Sequence, residues 1–494
     1  MMISHSDRSD VVIVGGGNAA LSAAMAAAAG GAKTTVLEAA AANEAGGNSW
    51  FTDGAMRFAI ESPAAIAELL QLSAAEMARI NIPPYPAAQY LDDLRRAGGQ
   101  DANLDLLKVL AEYSYNTMCW LRDNDIPLEL IYDNQAHLID NVYHFFGNLN
   151  VRVVERGIGM IRAETARCRV LGARLIYNAR VRDLLFDNGK IIGVRADIDG
   201  IQREFYARAV VLACGGFEAN ADMRADYLGR HWRQVHVRGT RHNQGDGLKM
   251  ALAAGAEKAG CWTGCHAVGI DFNAPSAGDT GKPGDIWKKH SYPYGLLLNK
   301  NGKRFVDEGA NLRNYTYAKY GRAVLEQPGQ IAYQIFDSQT EPLLRSEYRH
   351  QWTAKHSAES LEELAARLDL DRANFLAEIR EYNAAVQAGQ FNPAVLDGKC
   401  TIGLAINKSN WALPINQPPY WAFPIVCGIT FTFGGLAVNK QSAVLDKGGT
   451  IIPGLFVAGE MVGGLFGNNY PGGSGLMSGA VFGRIAGNSA VNQN

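Results

Sequence analysis

The first part of the chain carries a clear order of apolar and small residues. The branched apolar run Val11–Val14 predicts a buried parallel strand. The alanine-rich stretch after the next glycines predicts a helix, and a second apolar run, Thr34–Leu37, predicts a strand that ends on Glu38. The order strand, glycine turn, helix, strand and acid is typical of a nucleotide-binding Rossmann unit.

Small residues in this unit have separate physical tasks. Gly15 permits the tight turn after the first strand, and Gly17 lets the backbone approach a pyrophosphate. Ala20 allows the helix to pack close to the strand, and free N–H groups at the positive end of that helix favour an anion. Glu38 follows at the distance at which an acid binds ribose hydroxyls. The sequence therefore predicts a dinucleotide site over residues 10–38.

Periodicity and turn residues predict further elements along the chain. We expect helices over 62–80, 101–123, 155–166 and 248–254, a helical hairpin over 360–388 and a terminal helix. We also expect a buried strand with a glycine pair over 210–216, a strand over 455–460 and a glycine loop over 470–476. The strands 174–181 and 191–196 should form a hairpin that turns near Asp187-Asn188-Gly189. The two glycines and the Asn-Ser pair at 46–49 are typical of backbone that lines a flat cofactor.

Composition divides the chain and excludes several function classes. From about residue 261 tryptophan, tyrosine, proline and charge increase, so we predict an inserted domain over 261–431 between the two parts, 1–260 and 432–494, of a first domain. The 494 residues carry a formal net charge of −2, which favours neither nucleic acid nor an anionic membrane. We expect no integral membrane segment and no signal peptide before the first strand, and therefore a cytoplasmic protein.

The seven cysteines have no framework spacing, and we expect them to be reduced thiols. The segment from Cys261 to Cys265-His266 is similar to a haem-attachment motif with one residue too many. We expect neither haem nor a metal ion in this protein.

Three distant glycine motifs together resemble those of the fumarate reductase/succinate dehydrogenase flavoprotein family. They are GGGNAA with its following acid near the start, ACGG in the middle and GLFVAGE near the end. The resemblance covers nearly the whole chain. It implies an α/β fold, a Rossmann-type FAD-binding domain with an inserted α+β capping domain, and FAD stretched across the first domain. No histidine stands in the 46–52 loop where covalent members attach FAD, so we expect non-covalent FAD.

The resemblance also implies which residues hold the cofactor. Those carried over to this sequence are Gly15, Gly17, Asn18, Ala19 and Glu38 for the ADP half, Gly47, Asn48, Ser49, Gly54 and Ala55 beside the flavin, Val181 near the adenine, Ala213 and Gly215 of ACGG, Asp246 and Glu460 in the polar middle, and Ser474, Gly475 and Leu476 at the start of the terminal helix. Peptide N–H groups at that helix end stabilise negative charge on a reduced flavin.

Candidate reacting groups follow from the same resemblance. Arg313 matches the arginine that moves a proton and clamps a carboxylate, and the alternative is a structural ion pair with Glu308 or Asp307. His266 matches a substrate-binding histidine, and the alternative is a hydrogen-bonded core histidine. Tyr470 replaces a second carboxylate-binding arginine. Tyr315 and Tyr317, on the segment of Arg313, are further acid–base candidates.

Two branches of the family share features with this chain. GGNS, FVDEGANLRNYTYAKYG, GITFTFGGL and NNYPGGSGL resemble tricarballylate dehydrogenases, although Trp50 and Asp53 replace basic residues and only Arg57 remains. Tyr-Pro-Gly-Gly at 470–473 resembles 3-ketosteroid dehydrogenases, with Trp50, Phe51, Phe431 and Phe433 in a candidate apolar wall, for which core packing is the alternative.

The resulting hypothesis is an FAD-dependent oxidoreductase of a CH–CH bond next to a carboxylate or carbonyl, with a small carboxylic acid as substrate. A desaturase of an apolar ketone and a flavin-binding protein without catalysis are the alternatives. The sequence carries no second nucleotide fingerprint and no iron–sulfur cysteine set, so we expect a separate protein, a quinone or a diffusible carrier to exchange the electrons.

Overall fold

The structure is a computed structural model that describes residues 8–278, 285–467 and 469–493. The segment before residue 8, for which we expect no signal peptide, lies outside these residues, as does Asn468 of the NNYPGGSGL motif. Within the described ranges, no helix combines the length and the apolar character needed to cross a bilayer.

The strands are β1 (Val11–Val14), β2 (Thr34–Leu37), β3 (Ala55–Met56), β4 (Ile80–Asn81), β5 (Leu128–Leu130), β6 (Ala136–Ile139), β7 (Val142–Phe145), β8 (Val151–Val153), β9 (Arg174–Ile176), β10 (Ala179–Asp187), β11 (Lys190–Ile198), β12 (Ile201–Tyr206), β13 (Ala209–Leu212), β14 (His236–Val237), β15 (Lys258–Ala259), β16 (Cys265–Asp271), β17 (Leu296–Asn299), β18 (Ile331–Asp337), β19 (His356–Ala358), β20 (Tyr420–Thr432), β21 (Gly435–Leu436), β22 (Ala443–Leu445) and β23 (Ile451–Val457).

The helices are α1 (Asn18–Ala29), α2 (Pro63–Leu70), α3 (Ala74–Met77), α4 (Ala87–Gly98), α5 (Leu104–Asp123), α6 (Tyr132–Gln135), α7 (Arg156–Val170), α8 (Ala221–Tyr227), α9 (Asp246–Ala253), α10 (Tyr317–Leu325), α11 (Leu361–Arg367), α12 (Arg372–Ala385) and α13 (Ser474–Val491).

The first sheet has the strand order β22-β23-β13-β1-β2-β9. All its pairs are parallel except β22 with β23, and β1 is buried on both faces, which explains its unbroken run of branched apolar residues. The predicted strand–turn–helix–strand unit is confirmed. The carboxyl ends of parallel strands are where open α/β sheets bind ligands.

Helices α1 and α13 pack against each other in parallel, and small residues let them approach closely. A Cβ atom added at Gly483 would lie 2.4 Å from the carbonyl oxygen of Ala19, and one added at Gly487 would lie 2.3 Å from that of Ala23. The Asn18 side-chain amide donates to the Leu476 carbonyl at 2.7 Å. Both helices therefore begin side by side, each directly after a glycine, Gly17 for α1 and Gly473 for α13.

Two predicted elements differ from the structure. The strand expected over 174–181 is divided between β9 of the first sheet and β10 of a hairpin, because Asn178 adopts a φ of +53° between them. The helix expected over 62–80 is divided into α2 and α3, because Gln71 ends α2 in the left-handed region. The hairpin turn is as predicted, since Asn188 and Gly189 both have positive φ.

The second large sheet is built mainly from the later part of the chain. The long strand β20 pairs with β14, β16, β18 and β19, and β17 extends the sheet beyond β18. The helical hairpin α11–α12 packs on this sheet through a core that includes Phe375 and Tyr382. Because β14 precedes residue 261 and still pairs with β20, the domain boundaries at 260/261 and 431/432 remain predictions.

Candidate active site

A long cavity runs from the carboxyl ends of β1 and β2 to the second large sheet. Its unfilled space is about 1940 Å³, including the part open to solvent. Its lining extends from Gly15 and Glu38 at the first sheet, past Glu460, to Arg313 and Tyr317 near the second sheet. This length suits an extended dinucleotide followed by a second, smaller ligand.

Most of the sequence-predicted cofactor residues line this cavity. They are Gly15, Gly17, Asn18, Ala19, Glu38, Gly47, Asn48, Ser49, Ala55, Val181, Ala213, Gly215, Asp246, Glu460, Gly475 and Leu476. Gly54 and Ser474 do not line it. Gly54 lies against the backbone of Arg156, and the Ser474 hydroxyl accepts a hydrogen bond from Tyr90 at 3.0 Å.

The glycine loop after β1 fits the phosphate part of a dinucleotide. Gly15 has a φ of +115°, and a Cβ there would lie 2.4 Å from the carbonyl oxygen of Ala213. Gly17 caps α1 without a side-chain hydrogen bond, and the Asn18 N–H donates to the Ser49 hydroxyl at 3.2 Å, so the following N–H groups of the first turn keep their capacity for an anion. Since α13 begins beside α1, two positive helix ends adjoin the same cavity.

Glu38 fits the ribose of the same ligand. Its side chain is buried at the end of β2, and Oε1 accepts a hydrogen bond from the Ala40 N–H at 2.7 Å. Burial raises the pKa of Glu38 to about 7 against these backbone N–H groups. Two ribose hydroxyls would supply the donors that an ionised, buried carboxylate requires.

A carboxyl pair lies midway along the cavity, and the sequence revealed only one member. Glu460 Oε1 accepts from the Thr432 N–H at 2.7 Å and from its hydroxyl at 2.9 Å. Its neighbour Glu218 accepts from the Asn48 amide at 2.7 Å. Burial raises the pKa of both acids, and the hydrogen bond between them raises that of Glu460 further. Burial and the closeness of the two carboxyls therefore oppose ionisation beside Asn48, a predicted flavin neighbour, and of the two acids Glu460 is the one that lines the cavity.

Asp246 occupies the other polar part of the cavity. Its carboxylate pairs with Arg180 at 2.6 Å, and both residues line the cavity near Val181. The sequence did not indicate Arg180, since the residue stands at an ordinary outward position of β10.

Arg313 is a partly exposed residue whose guanidinium lies inward, at the end of the cavity under the second sheet. Its Nη2 atom is buried without a hydrogen-bond partner. The expected alternative, an ion pair with Glu308 or Asp307, is absent, because Glu308 pairs with Arg304 at 2.6 Å and Asp307 accepts from Ser409. Burial and the charge of Arg345 lower the pKa of Arg313 to about 10. No carboxylate of the described residues lies within ion-pair distance of it.

His266 lies in an aromatic enclosure at the same end. Its ring stacks on Phe431 with centroids 5.2 Å apart and meets the edges of Tyr470 and Tyr317 at 5.0 and 5.1 Å. Neither ring nitrogen has a partner, so the expected alternative of a hydrogen-bonded core histidine does not hold. Burial and the charge of Arg238 hold the pKa of His266 well below its usual range. The ring is therefore neutral.

His290 completes this end of the cavity, and sequence analysis missed it. Its Nε2 atom is buried without a partner, and its ring lies 4.9 Å from that of Tyr317. Burial, Arg313 and Lys288 hold its pKa well below the usual range. The only local signal is a short basic run, Lys288-Lys289-His290, which is more often a solvated surface.

The tyrosine assignments need one correction. Tyr470 and Tyr317 line the cavity, and the Tyr470 hydroxyl accepts a hydrogen bond from the Gly473 N–H at 2.7 Å. Tyr315 does not line it. The Tyr315 hydroxyl donates to Asp93 at 3.0 Å and accepts from Arg57 and Asn148. On this segment Tyr317, rather than Tyr315, is the tyrosine that a ligand could reach.

Arg57 is likewise absent from the cavity wall. It is fully buried, and its guanidinium donates to the carbonyls of Gly472 and Gly147 at 2.8 Å. Trp50 is outside the lining as well, whereas Asp53 lines the cavity. The cysteines near His266 are free thiols, and burial raises the pKa of Cys265 to about 12.

Comparison with known proteins accounts for this arrangement. A family model described as FAD binding domain matches residues 10–476. A probable fumarate reductase of Shewanella frigidimarina (strain NCIMB 400) is 29% identical over 415 residues, which are 81% of this chain and 64% of that protein. A 3-oxosteroid 1-dehydrogenase of Mycobacterium tuberculosis is 28% identical over 363 residues, 67% of this chain and 62% of that protein. The chain thus spans less than two thirds of both relatives.

A solved structure shows the same fold. The open conformation of a flavocytochrome c3 fumarate reductase superposes with a TM-score of 0.75 at 25% identity, over 99% of this chain and 79% of that one. The predicted fold class, a Rossmann-type FAD-binding domain with an inserted α+β domain, is confirmed. The family match includes the glycine loop after β1, Glu38, the ACGG strand end and the start of α13. The chain therefore belongs to the FAD binding domain family, and its cofactor is FAD.

Proposed function

We propose that this protein is an FAD-dependent oxidoreductase that adds or removes hydrogen across a CH–CH bond next to a carboxylate. The observation that carries the proposal is Arg313, a buried guanidinium with an unpartnered nitrogen and no counterion among the described residues. A buried cation is strongly destabilising unless an anion pairs with it. A substrate carboxylate would supply that anion in the space beside the cofactor.

The relatives support the reaction class. One is named a probable fumarate reductase and the other a 3-oxosteroid 1-dehydrogenase. Bound FAD supplies the acceptor or donor of a hydride in such reactions. The protein must therefore bind the acid, exclude water and move one proton.

The side chains around Arg313 divide these tasks. Arg313 orients the carboxylate, and its lowered pKa of about 10 allows it to exchange a proton at the adjacent carbon more readily than an exposed arginine would. Tyr317 lies between His266 and His290 and is the second proton-transfer candidate. The aromatic rings of Phe431, Tyr470 and their neighbours keep water out of this end of the cavity.

A dye-linked assay of purified protein tests the proposal. Reduction of unsaturated acids with a reduced dye, and oxidation of saturated acids with an oxidised dye, would be measured for the wild type and for Arg313→Gln. We expect the variant to retain FAD and to lose at least ~100-fold in kcat/KM, because one buried charge-assisted contact is lost. Equal turnover by the variant would remove Arg313 from the reaction.

Matched tyrosine variants identify the proton-transfer group. Tyr317→Phe should lower kcat, whereas Tyr315→Phe should leave kcat near that of the wild type, since the Tyr315 hydroxyl faces Asp93 and Arg57 rather than the cavity. A lowered kcat in Tyr315→Phe alone would contradict this assignment.

One observation favours a second candidate, desaturation of an apolar ketone. The Tyr470 hydroxyl accepts from the Gly473 N–H, and the edge of its ring lies near Gly475 at the start of α13, so the hydroxyl and the Gly475 N–H could together polarise a ketone oxygen. Phe431, Phe433 and Phe466 surround Tyr470 with centroids 5.3–6.0 Å apart. Enone formation from a cyclic ketone without any turnover of acids would establish this candidate instead.

Electron exchange and location belong to the same proposal. We expect a separate redox protein, a quinone or a diffusible carrier to exchange electrons with the bound FAD, and a cytoplasmic location. Activity of the purified protein with an artificial dye but not with NADH or NADPH would agree with an external carrier.

A further inference from the structure

The balance of charges around the far end of the cavity carries information about the substrate itself. Arg313 has no counterion there, but other cations lie close by and must be counted. Each of these other cations has an acidic partner.

Arg238 and Lys288 share two carboxylates. The Arg238 guanidinium binds both oxygens of Asp285, with Nε–Oδ1 at 2.7 Å, and also donates to the Thr430 hydroxyl at 2.7 Å. Lys288 Nζ contacts Asp53 and lies 3.4 Å from Asp285. Burial opposes ionisation of both acids, but the charges of Lys288, Arg345 and Arg156 lower the pKa of Asp53, and those of Arg238 and Lys288 lower the pKa of Asp285. This four-residue cluster is therefore neutral as a whole.

The remaining charged groups are balanced in the same way. Arg345 pairs with Glu347 at 2.9 Å. Arg152 and Arg156 lie with Glu129 and Asp133, at 2.7 Å for Arg152 with Glu129 and 3.3 Å for Arg156 with Asp133. His266 and His290 are neutral because burial keeps the pKa of each well below the usual range. Arg313 is thus the one positive charge without compensation among the described residues at this end.

Among the described residues, the rest of the wall holds no second uncompensated cation, and its unpartnered polar atoms include ring nitrogens of the neutral His266 and His290. Phe431, Phe433, Phe466 and Tyr470 form a continuous group of rings, and the His266 ring stacks on Phe431. A carboxylate placed among these rings would lose its hydration without gaining a cation.

We infer that this cavity takes a substrate with a single carboxylate and an uncharged apolar or aromatic body, and that it discriminates against di- and tricarboxylates. The carboxylate binds at Arg313, and the uncharged body lies against the rings around His266. The inference rests on the proposed function and refines it. It also implies that a tricarballylate-like substrate, which the sequence motifs alone suggest, would leave two carboxylates without cations.

Pairs of acids that differ by one carboxylate test the inference. Crotonate with fumarate and cinnamate with 4-carboxycinnamate are such pairs. Binding to the FAD-loaded protein would be followed by the change in flavin absorbance, and turnover would be followed with a reduced dye. We expect each monoacid to bind about 100-fold more tightly than its diacid, as a buried carboxylate without a partner requires.

A single substitution should relax the discrimination. Asp53→Asn removes one negative charge and leaves Lys288 only partly compensated, so we expect the ratio of fumarate to crotonate affinity to rise about tenfold. Asp183→Asn, at an exposed ion pair with Arg195, is the control and should leave the ratio unchanged.

The outcomes separate the two levels of the proposal. Diacids that bind as tightly as the monoacids, or an Asp53→Asn variant with an unchanged ratio, would overturn this inference and leave the proposed reaction intact. Binding of neither acid, with turnover of a cyclic ketone, would overturn the proposed function and this inference with it.

Discussion

Replacement of Arg313 by methionine should stabilise the substrate-free protein while it abolishes binding of the acid. The pKa of Arg313 lies near 10, about 2.5 units below its usual 12.5, because burial and Arg345 oppose its charge. At about 1.36 kcal/mol per unit, the charged form is less stable in the fold by about 3 kcal/mol. Allowing for solvent in the cavity, we expect Arg313→Met to raise the free energy of unfolding by about 1–3 kcal/mol.

Arg304→Met is the matched control on the same segment. Arg304 is also buried, but it pairs with Glu308 through two contacts, at 2.6 and 3.1 Å. Its removal leaves the buried Glu308 carboxylate without its counterion, although the Leu297 N–H still donates to it at 2.8 Å, and this is destabilising by about 3–5 kcal/mol. The two substitutions remove the same side chain and should act in opposite directions.

Thermal unfolding of the FAD-loaded, substrate-free variants is the assay. For a chain of this length we expect about 1–2 °C per kcal/mol, so the Tm of Arg313→Met should rise by a few degrees and that of Arg304→Met should fall. Crotonate should raise the Tm of the wild type but not of Arg313→Met. A fall in Tm for both variants, or an unchanged response to crotonate, would refute the view that Arg313 is held ready for an anion.

Three further predictions concern the cofactor. Burial raises the pKa of Glu38 to about 7, against an ordinary value of 4.5. Between these two pH values the folded apoprotein keeps a proton that the unfolded chain has lost, so the free energy of unfolding should fall as the pH rises. In Glu38→Gln this pH dependence should disappear and the Kd for FAD should rise about 10–100-fold, as measured by unfolding at several pH values and by flavin titration. Gly483→Ala should destabilise the protein by about 1–3 kcal/mol and weaken FAD, because its Cβ would meet the Ala19 carbonyl at 2.4 Å, and an unchanged Tm would contradict the tight packing of α1 on α13. Acid precipitation should release free FAD into the supernatant, and a yellow pellet would indicate a covalent bond.

Features that depend on neighbouring residues could be predicted from the sequence. The β1–α1–β2 unit follows from branched residues, a glycine turn and an acid within thirty positions, and the hairpin turn follows from Asn188-Gly189. These signals are local, so no knowledge of the rest of the fold was needed.

Features that join distant parts of the chain could not be predicted in this way. Glu218 meets Asn48 across 170 positions, and Lys288 meets Asp53 across 235. Neither residue has a local pattern that separates it from surface charge. Of the two candidate tyrosines only Tyr317 lines the cavity, because a short 3-10 turn over Arg313–Tyr315 precedes α10 and sets which side chain faces inward.

The order in which the protein is synthesised has a consequence for assembly. Strand β23 pairs with β13, and α13 covers α1, yet both come from the last tenth of the described chain. Until the ribosome has released them, β13 presents an open edge and one wall of the cavity is missing. FAD can therefore enter its complete site only once β23 and α13 have emerged, and a chain truncated before these two elements should not retain the cofactor.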